Sequence, residues 1–223
     1  MKKFLSRNIN TILALFTMVI VAIVAVQIEM QTGLGLAMAI AVYTKACSKN
    51  VAGNTFIAVC EVGNMTSFTV AGGEITAVTP NAALRFMKAD ATIDTIIRSE
   101  EGTGNGNNIA YEHKIELKTT KPSLALNTWR QALADGSPCG LLAVVADGNG
   151  QCWLTGYSVS EGFKRPLRLT KDSFTSGGAP GDAEGQQITI ELGCTTGYVD
   201  LPFNAALSAA VIGGTATAWI TYT

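Results

Sequence analysis

Few residues in this chain have the types and spacing that chemistry needs. His113 is the sole histidine. An imidazole can act as base, proton shuttle or metal ligand, and each role requires partners. Its neighbours in the alternating stretch 111–117, YEHKIEL, are Glu112 and Lys114 on the opposite face, and no serine or cysteine partner is implied nearby. A histidine buried in a core or interface is therefore favoured over a catalytic one. The five cysteines, Cys47, Cys60, Cys139, Cys152 and Cys194, show no C-x-x-C spacing. With one histidine beside them they do not supply the paired close ligands of a zinc site. They read as small buried hydrophobes in a reducing compartment, with a Cys139–Cys152 bridge as the alternative for an exported chain. The GTGNG run at 102–106 has glycines suited to cradling phosphate, but no GK[ST] and no helix follow it, so it reads as a loop. Carboxylates are scattered, and no nucleophile-elbow, metal or nucleotide motif occurs. The expectation is a protein that is not an enzyme, with no catalytic residue, cofactor or metal.

The elements that would position these residues are mostly strands. Residues 140–158, GLLAVVADGNGQCWLTGYS, organise the chain as a β-hairpin with arms at 141–146 and 152–157. Asp147–Gly150 between them supplies the φ > 0 positions of a tight turn, and no nucleophile, base or ligand cluster sits beside it in sequence. Residues 55–62 form a strand, and 65–70 with 74–79 form a second hairpin about Ala71-Gly72-Gly73. Residues 84–98 read as one long strand, bulged near Met87, with Lys88, Asp90, Asp94 and Arg98 on one face. Residues 109–119 alternate cleanly, Tyr111, His113, Ile115 and Leu117 facing one way and Glu112, Glu116 and the lysines the other. Cross-strand charge pairs with the Lys88–Arg98 face would follow. Residues 123–135 are the one clear helix of the body, started by Pro122 and Ser123 and stopped by Gly136, with Leu126, Trp129 and Leu133 as its apolar stripe. Residues 167–170 are a short strand, 173–186 a Gly-rich connection, 188–192 an alternating strand, and 215–223 a closing strand. The fold class is mainly β: a β-sandwich or partly closed barrel with one inserted helix.

At 223 residues, 48% hydrophobic and 15% charged, the chain can bury a core of one main domain with an N-terminal appendage. Its formal net charge of −1 is uneven, since Lys2, Lys3 and Arg7 precede the first acid, Glu29, and leave the rest net acidic. No basic patch of a sequence-reading nucleic-acid binder appears. A mildly acidic surface suits one that DNA slides past, because phosphate contacts to Lys and Arg create affinity. Residues 1–44 form the appendage. No charge falls between Arg7 and Glu29, a span of about 20 residues, the length of a membrane helix. The basic start also suits a signal peptide or signal anchor. A helix buried against protein, or a true start at Met30 or Met38, are the other readings.

The order of motifs resembles the tail tube (major tail) proteins of long-tailed phages and prophages of Bacteroides-type bacteria. It runs from Cys-Ser-Lys-Asn at 47–50 through MTSFTVAGGEITAVTP at 65–80, F-x-K-x-D-A-T at 86–92 and YEHKIEL. The helix, LLAVVADGNGQCWLTGY at 141–157, the Thr-Ser-Gly run at 175–182 and QQITIEL at 186–192 follow. The signal lies in the series, across about residues 47–210, rather than in any one motif. The resemblance implies a tail-tube-like β domain at 45–223 that assembles into hexameric rings, stacked into a tube that conducts DNA. Its partners would be copies of itself and DNA passing without sequence-specific binding, and its place the virion. It further implies that the hairpin 84–119 lines the ring, with Lys88, Asp90, Asp94, Arg98, Glu112, Lys114, Glu116 and Lys118 toward lumen or neighbour. The tip, Glu100, Glu101, Gly102, Thr103, Gly104, Asn105, Gly106, Asn107 and Asn108, would reach the next ring, and residues 211–223 would add a strand or an inter-subunit arm. Residues 1–44 depart from the family, whose members begin close to the Cys-Ser-Lys-Asn segment. They support the rival reading, a membrane-anchored or secreted β-sandwich acting as a surface, filament or binding module.

Overall fold

The hairpin 140–158 supplies two neighbouring strands of the largest sheet among the described residues. In the computed structural model, which describes residues 53–81, 85–89, 95–105, 108–120, 122–177 and 185–222, strand β7 (Leu141–Asp147) pairs antiparallel with β8 (Cys152–Thr155) and, on its other edge, with β1 (Asn54–Glu61). The turn is closed by Gly150 N–H donating to the Asp147 carbonyl (3.2 Å), and the Asp147 carboxylate accepts from the amides of Asn149 and Gln151. Gly150 takes φ 87°, the left-handed region that glycine enters without strain. β4 (Phe86–Lys88), β11 (Leu201–Pro202) and β12 (Ile220–Thr221) complete a six-stranded sheet in the order β11-β8-β7-β1-β4-β12.

β1 and β7 carry apolar runs without polar alternation, the pattern of strands covered on both faces. Phe56, Ala58, Cys60, Leu142, Val144 and Ala146 point into one core, and Ile57, Val59, Leu141, Ala143 and Val145 into another. The first core is closed by the hairpin β2 (Met65–Ala71) and β3 (Glu74–Pro80), by helix α2 (Ala205–Ile212) and by Trp219, whose ring meets those of Phe86 and Phe203 edge-on. The second is closed by a four-stranded antiparallel sheet in the order β5-β6-β10-β9, made of β5 (Thr95–Asn105), β6 (Asn108–Thr119), β9 (Arg168–Thr175) and β10 (Gln187–Thr196). Helix α1 (Leu124–Gly136) fills the gap between the sheets with Leu126, Trp129 and Leu133. Its first turn is held by Ser123, whose hydroxyl accepts from the Leu126 amide at 3.0 Å, and such a cap contributes about 1 kcal/mol. The architecture is mainly β, in sheets that do not close into a barrel.

Several expectations are corrected. The described residues hold two α-helices rather than one. The second, α2, is apolar on all sides, so it lacks the 3.6-residue alternation that reveals a surface helix. Asn204 caps it by accepting from the Leu207 amide at 2.8 Å. The closing strand shrinks to Ile220–Thr221, paired parallel to β4. The strand expected over 84–98 is two strands in different sheets, β4 beside β1 and β5 beside β6. β9 runs on to Thr175, into the stretch read as a connection. Cys139 is exposed and Cys152 buried, and both are free thiols, so the bridge between them is not formed. Residues 1–44, Cys47, Asp90, Asp94, Gly106 and Asn107 lie outside the described residues. Among the described residues, no helix is long and apolar enough to cross a membrane.

Candidate functional site

After β10 the chain leaves the small sheet at 197–200 and enters the large one as β11, whose Leu201 pairs with Leu154 of β8. Backbone groups at such a crossing lose their ladder partners and must find others. A cluster of polar side chains supplies them. The Asp200 amide donates to Glu100 Oε2 at 3.0 Å, and the Tyr198 amide donates to Thr196 Oγ1 at 3.2 Å. The Tyr198 carbonyl accepts from the Thr196 hydroxyl at 2.5 Å and lies 3.0 Å from His113 Nε2.

Strand pairing explains how these groups meet. Arg98 and Glu100 lie two apart on β5, and Glu100 stands opposite His113 on β6, which stands opposite Cys194 on β10. All point toward the large sheet, where β8 contributes Trp153 and Thr155. The Asp200 carboxylate is the hub: Oδ2 accepts from Arg98 Nε at 2.8 Å and from the Thr155 hydroxyl at 2.7 Å. Oδ1 lies 3.1 Å from His113 Nδ1, within ion-pair reach but off the line of a good hydrogen bond. Arg98 also lies 3.6 Å from Glu100 and covers the Trp153 ring, 4.6 Å from its centroid. His113 and Asp200 are almost fully buried, and Glu100 keeps about a fifth of its side chain in solvent (21%).

The environment sets the charges. Burial by itself would raise the Asp200 pKa, but the close contact and charge of His113, the charge of Arg98 and the Thr155 hydroxyl bring it below the usual carboxylate value. For His113, burial acts to lower the pKa, and the close contact and charge of Asp200, the charge of Glu100 and the Tyr198 carbonyl together raise it. Burial pushes the Cys194 thiol up to about 12, with Asp200 adding to it, and the Cys152 thiol to about 11. Both remain protonated at neutral pH and are poor nucleophiles.

The cluster has the residue types of two chemical sites. Ligand atoms of Glu100, His113 and Asp200 lie within 4.8 Å of one another, a spacing that suits a divalent cation. The Arg98 guanidinium already sits against both carboxylates, however, and supplies the positive charge that a cation would bring. Asp200, His113 and Thr196 also form the line of a carboxylate–imidazole–hydroxyl triad, with His113 Nε2 2.8 Å from Thr196 Oγ1. The Thr196 hydroxyl commits its hydrogen to the Tyr198 carbonyl and is buried, so it is not presented to a substrate. The arrangement is a closed ion-pair network that joins two sheets.

The residues singled out in sequence separate into groups. Arg98 and Glu100 belong to the cluster; Arg98 faces inward with Ile115, and it is Ile97 that faces outward with Glu116. Lys88 lies in the large sheet, over the Phe56 ring. Lys114, Glu116 and Lys118 do line the outer face of the small sheet, as does the exposed Glu112. Their charge pairs run along β6 and across to β10: Lys118–Glu116 at 2.6 Å, Lys114–Glu116 at 3.4 Å and Lys114–Glu191 at 3.2 Å. Hydrogen bonding from Lys118 lowers the Glu116 pKa, and hydrogen bonding to Glu191 raises that of Lys114. The stretch expected as a loop from Glu100 is strand through Asn105 and again from Asn108. Glu101, Gly102, Thr103 and Gly104 are therefore ladder residues of β5.

Sequence reasoning missed Asp200 and Thr196 as partners of His113, and Thr155 and Trp153 as the groups that meet Asp200 and Arg98. They lie up to 87 positions from His113, and no local pattern marks them. The hairpin β7–β8, read as standing apart from any reactive cluster, carries one wall of this one. Compared with protein-family models, with curated proteins and with solved structures, the chain matches none.

Proposed function

We propose that this chain is a structural, self-assembling subunit that forms stacked rings of a tube, of the kind that conducts DNA in phage tails. The observation that carries the reading is an overhang. β10 ends its pairing with β6 at Thr196 opposite Tyr111, while the β5–β6 ladder continues through Gly102–Tyr111, Thr103–Ala110 and Gly104–Ile109 to Asn105–Asn108. The last turns of this hairpin thus form a two-stranded ribbon, with Ile109 exposed at 55%. Such a ribbon is marginal in water by itself, and its open edges are templates for another chain. A second copy of the subunit satisfies both needs. In this reading the stacking element begins at Gly102, because Arg98 and Glu100 are engaged in the inter-sheet cluster. The balanced lysines and glutamates on the outer face of the small sheet, together with the acidic excess of the body, favour a wall that DNA passes without adhering.

Negative-stain electron microscopy of the full-length chain, concentrated in low-salt buffer, tests this directly. Rings or tubes are the expected result, and monodisperse particles at every concentration would overturn it. The rival reading, a membrane-anchored or secreted β module, draws on the apolar stretch within residues 1–44, and a monomer that binds a glycan or protein partner would favour it.

A further inference from the structure

We propose that the join between the two sheets is a proton-operated latch, in which His113 closes the Arg98–Glu100–Asp200 cluster only as an imidazolium. The assignment follows from what each ring nitrogen faces. Nε2 lies against two acceptors, the Tyr198 carbonyl at 3.0 Å and Thr196 Oγ1 at 2.8 Å. A carbonyl oxygen has no hydrogen to give, and the Thr196 hydroxyl gives its own to that same carbonyl. Nε2 must therefore carry a hydrogen. Nδ1 lies 3.1 Å from Asp200 Oδ1 and 3.6 Å from Glu100 Oε2. A bare lone pair there would face two carboxylates, so Nδ1 carries a hydrogen as well. With both nitrogens protonated, two cations, Arg98 and His113, balance two anions, Glu100 and Asp200. With His113 neutral, the buried cluster holds an uncompensated negative charge, which is costly.

The groups facing the ring from each packed element support the same count. β5 brings Arg98 and Glu100, the crossing segment brings Asp200 and the Tyr198 carbonyl, and β10 brings Thr196 and the Cys194 thiol, which stays neutral. β8 brings the Thr155 hydroxyl and Trp153, neither of which ionises in this range. The sign of the linkage follows. A histidine whose folded pKa is raised contributes stability that is fully present below its unfolded value of about 6.5 and lost as pH rises through the folded value. Asp200, with a depressed folded pKa, contributes stability present above about 3.9 and lost as pH falls through its folded value. The latch is closed between these limits and loosens above the upper one. The crossing segment 197–200 and the root of the β5–β6 hairpin are the parts it holds. The inference stands on the cluster alone and does not depend on ring assembly.

Because His113 is the sole histidine of the chain, nitrogen-15 NMR of histidine-labelled full-length protein reads the latch without assignment. Near pH 6, both ring nitrogens are expected in the protonated range, and the titration midpoint is expected above 6.5. Glu100→Gln removes one facing carboxylate and is expected to move that midpoint down, while its Asp200 contact is retained. A midpoint at or below 6.5, a neutral tautomer at pH 6, or an unmoved midpoint in Glu100→Gln would each overturn the proposal. In urea unfolding, the wild-type midpoint is expected to fall as pH rises through the NMR midpoint and that of His113→Gln to stay flat over the same range. A wild-type curve that is equally flat would contradict it.

Discussion

The inner face of β6 joins the small sheet to the large one in two different ways within a few residues. At Ile115 and Leu117 the join is apolar: both side chains are buried among Ile190, Leu192, Trp129 and the β1–β7 strands. Two residues before Ile115, at His113, the join is a network of ions and hydrogen bonds. The apolar end is covered by a helix and needs only volume and shape to hold. At the polar end a chain segment leaves one sheet for the other, so backbone donors and acceptors must be met by side chains. The polar cluster therefore sits where the topology strands backbone groups, and it inherits a dependence on protonation that the apolar end lacks.

The largest effect is expected from Asp200→Ala, which leaves Arg98 and His113 buried without their shared partner. Breaking a buried ionic network costs about 3–5 kcal/mol, and equilibrium urea unfolding at pH 6 measures it. A loss no larger than that of a surface substitution would mean that the ionic network does not hold the join. Ile115→Ala tests the other end, where truncation of a fully buried isoleucine costs about 2–5 kcal/mol. Its cost should be the same at pH 6 and pH 8, whereas the cost of Asp200→Ala should shrink as pH rises and His113 gives up its proton. Equal pH dependence in both variants would erase the contrast. A smaller effect, about 1 kcal/mol, is expected for Ser123→Ala, which removes the cap of the helix covering the apolar end, again without pH dependence in the thermal midpoint.

How far each end could be read in sequence follows from the range of the forces that make it. The helix at the apolar end was legible because Ser123, the Leu126–Trp129–Leu133 spacing and Gly136 are local signals, and the structure places the helix at Leu124–Gly136. The β7–β8 hairpin was legible for the same reason, through its Asp-Gly and Asn-Gly turn. At the polar end, alternation puts His113 on the inward face, in a core or an interface, but its partners arrive by tertiary pairing from β5, from the end of β10 and from the crossing after it. A single strand over 84–98 would put Arg98 on the same face as Lys88. The chain in fact changes sheet between β4 and β5, so a face assigned from Lys88 does not carry over to Arg98. Helix α2 escaped because AALSAAVI offers no polar face. Only Asn204 before it and Gly213-Gly214 after it mark its ends.

Under the proposed function, the ribbon beyond the latch makes the contact between subunits. Sedimentation velocity of the full-length chain and of Ile109→Lys, compared at matched concentrations, tests it most directly. The wild type is expected to form large, concentration-dependent species and the variant to remain a monomer with an unchanged unfolding midpoint. Assembly of Ile109→Lys to the same size as the wild type would contradict it.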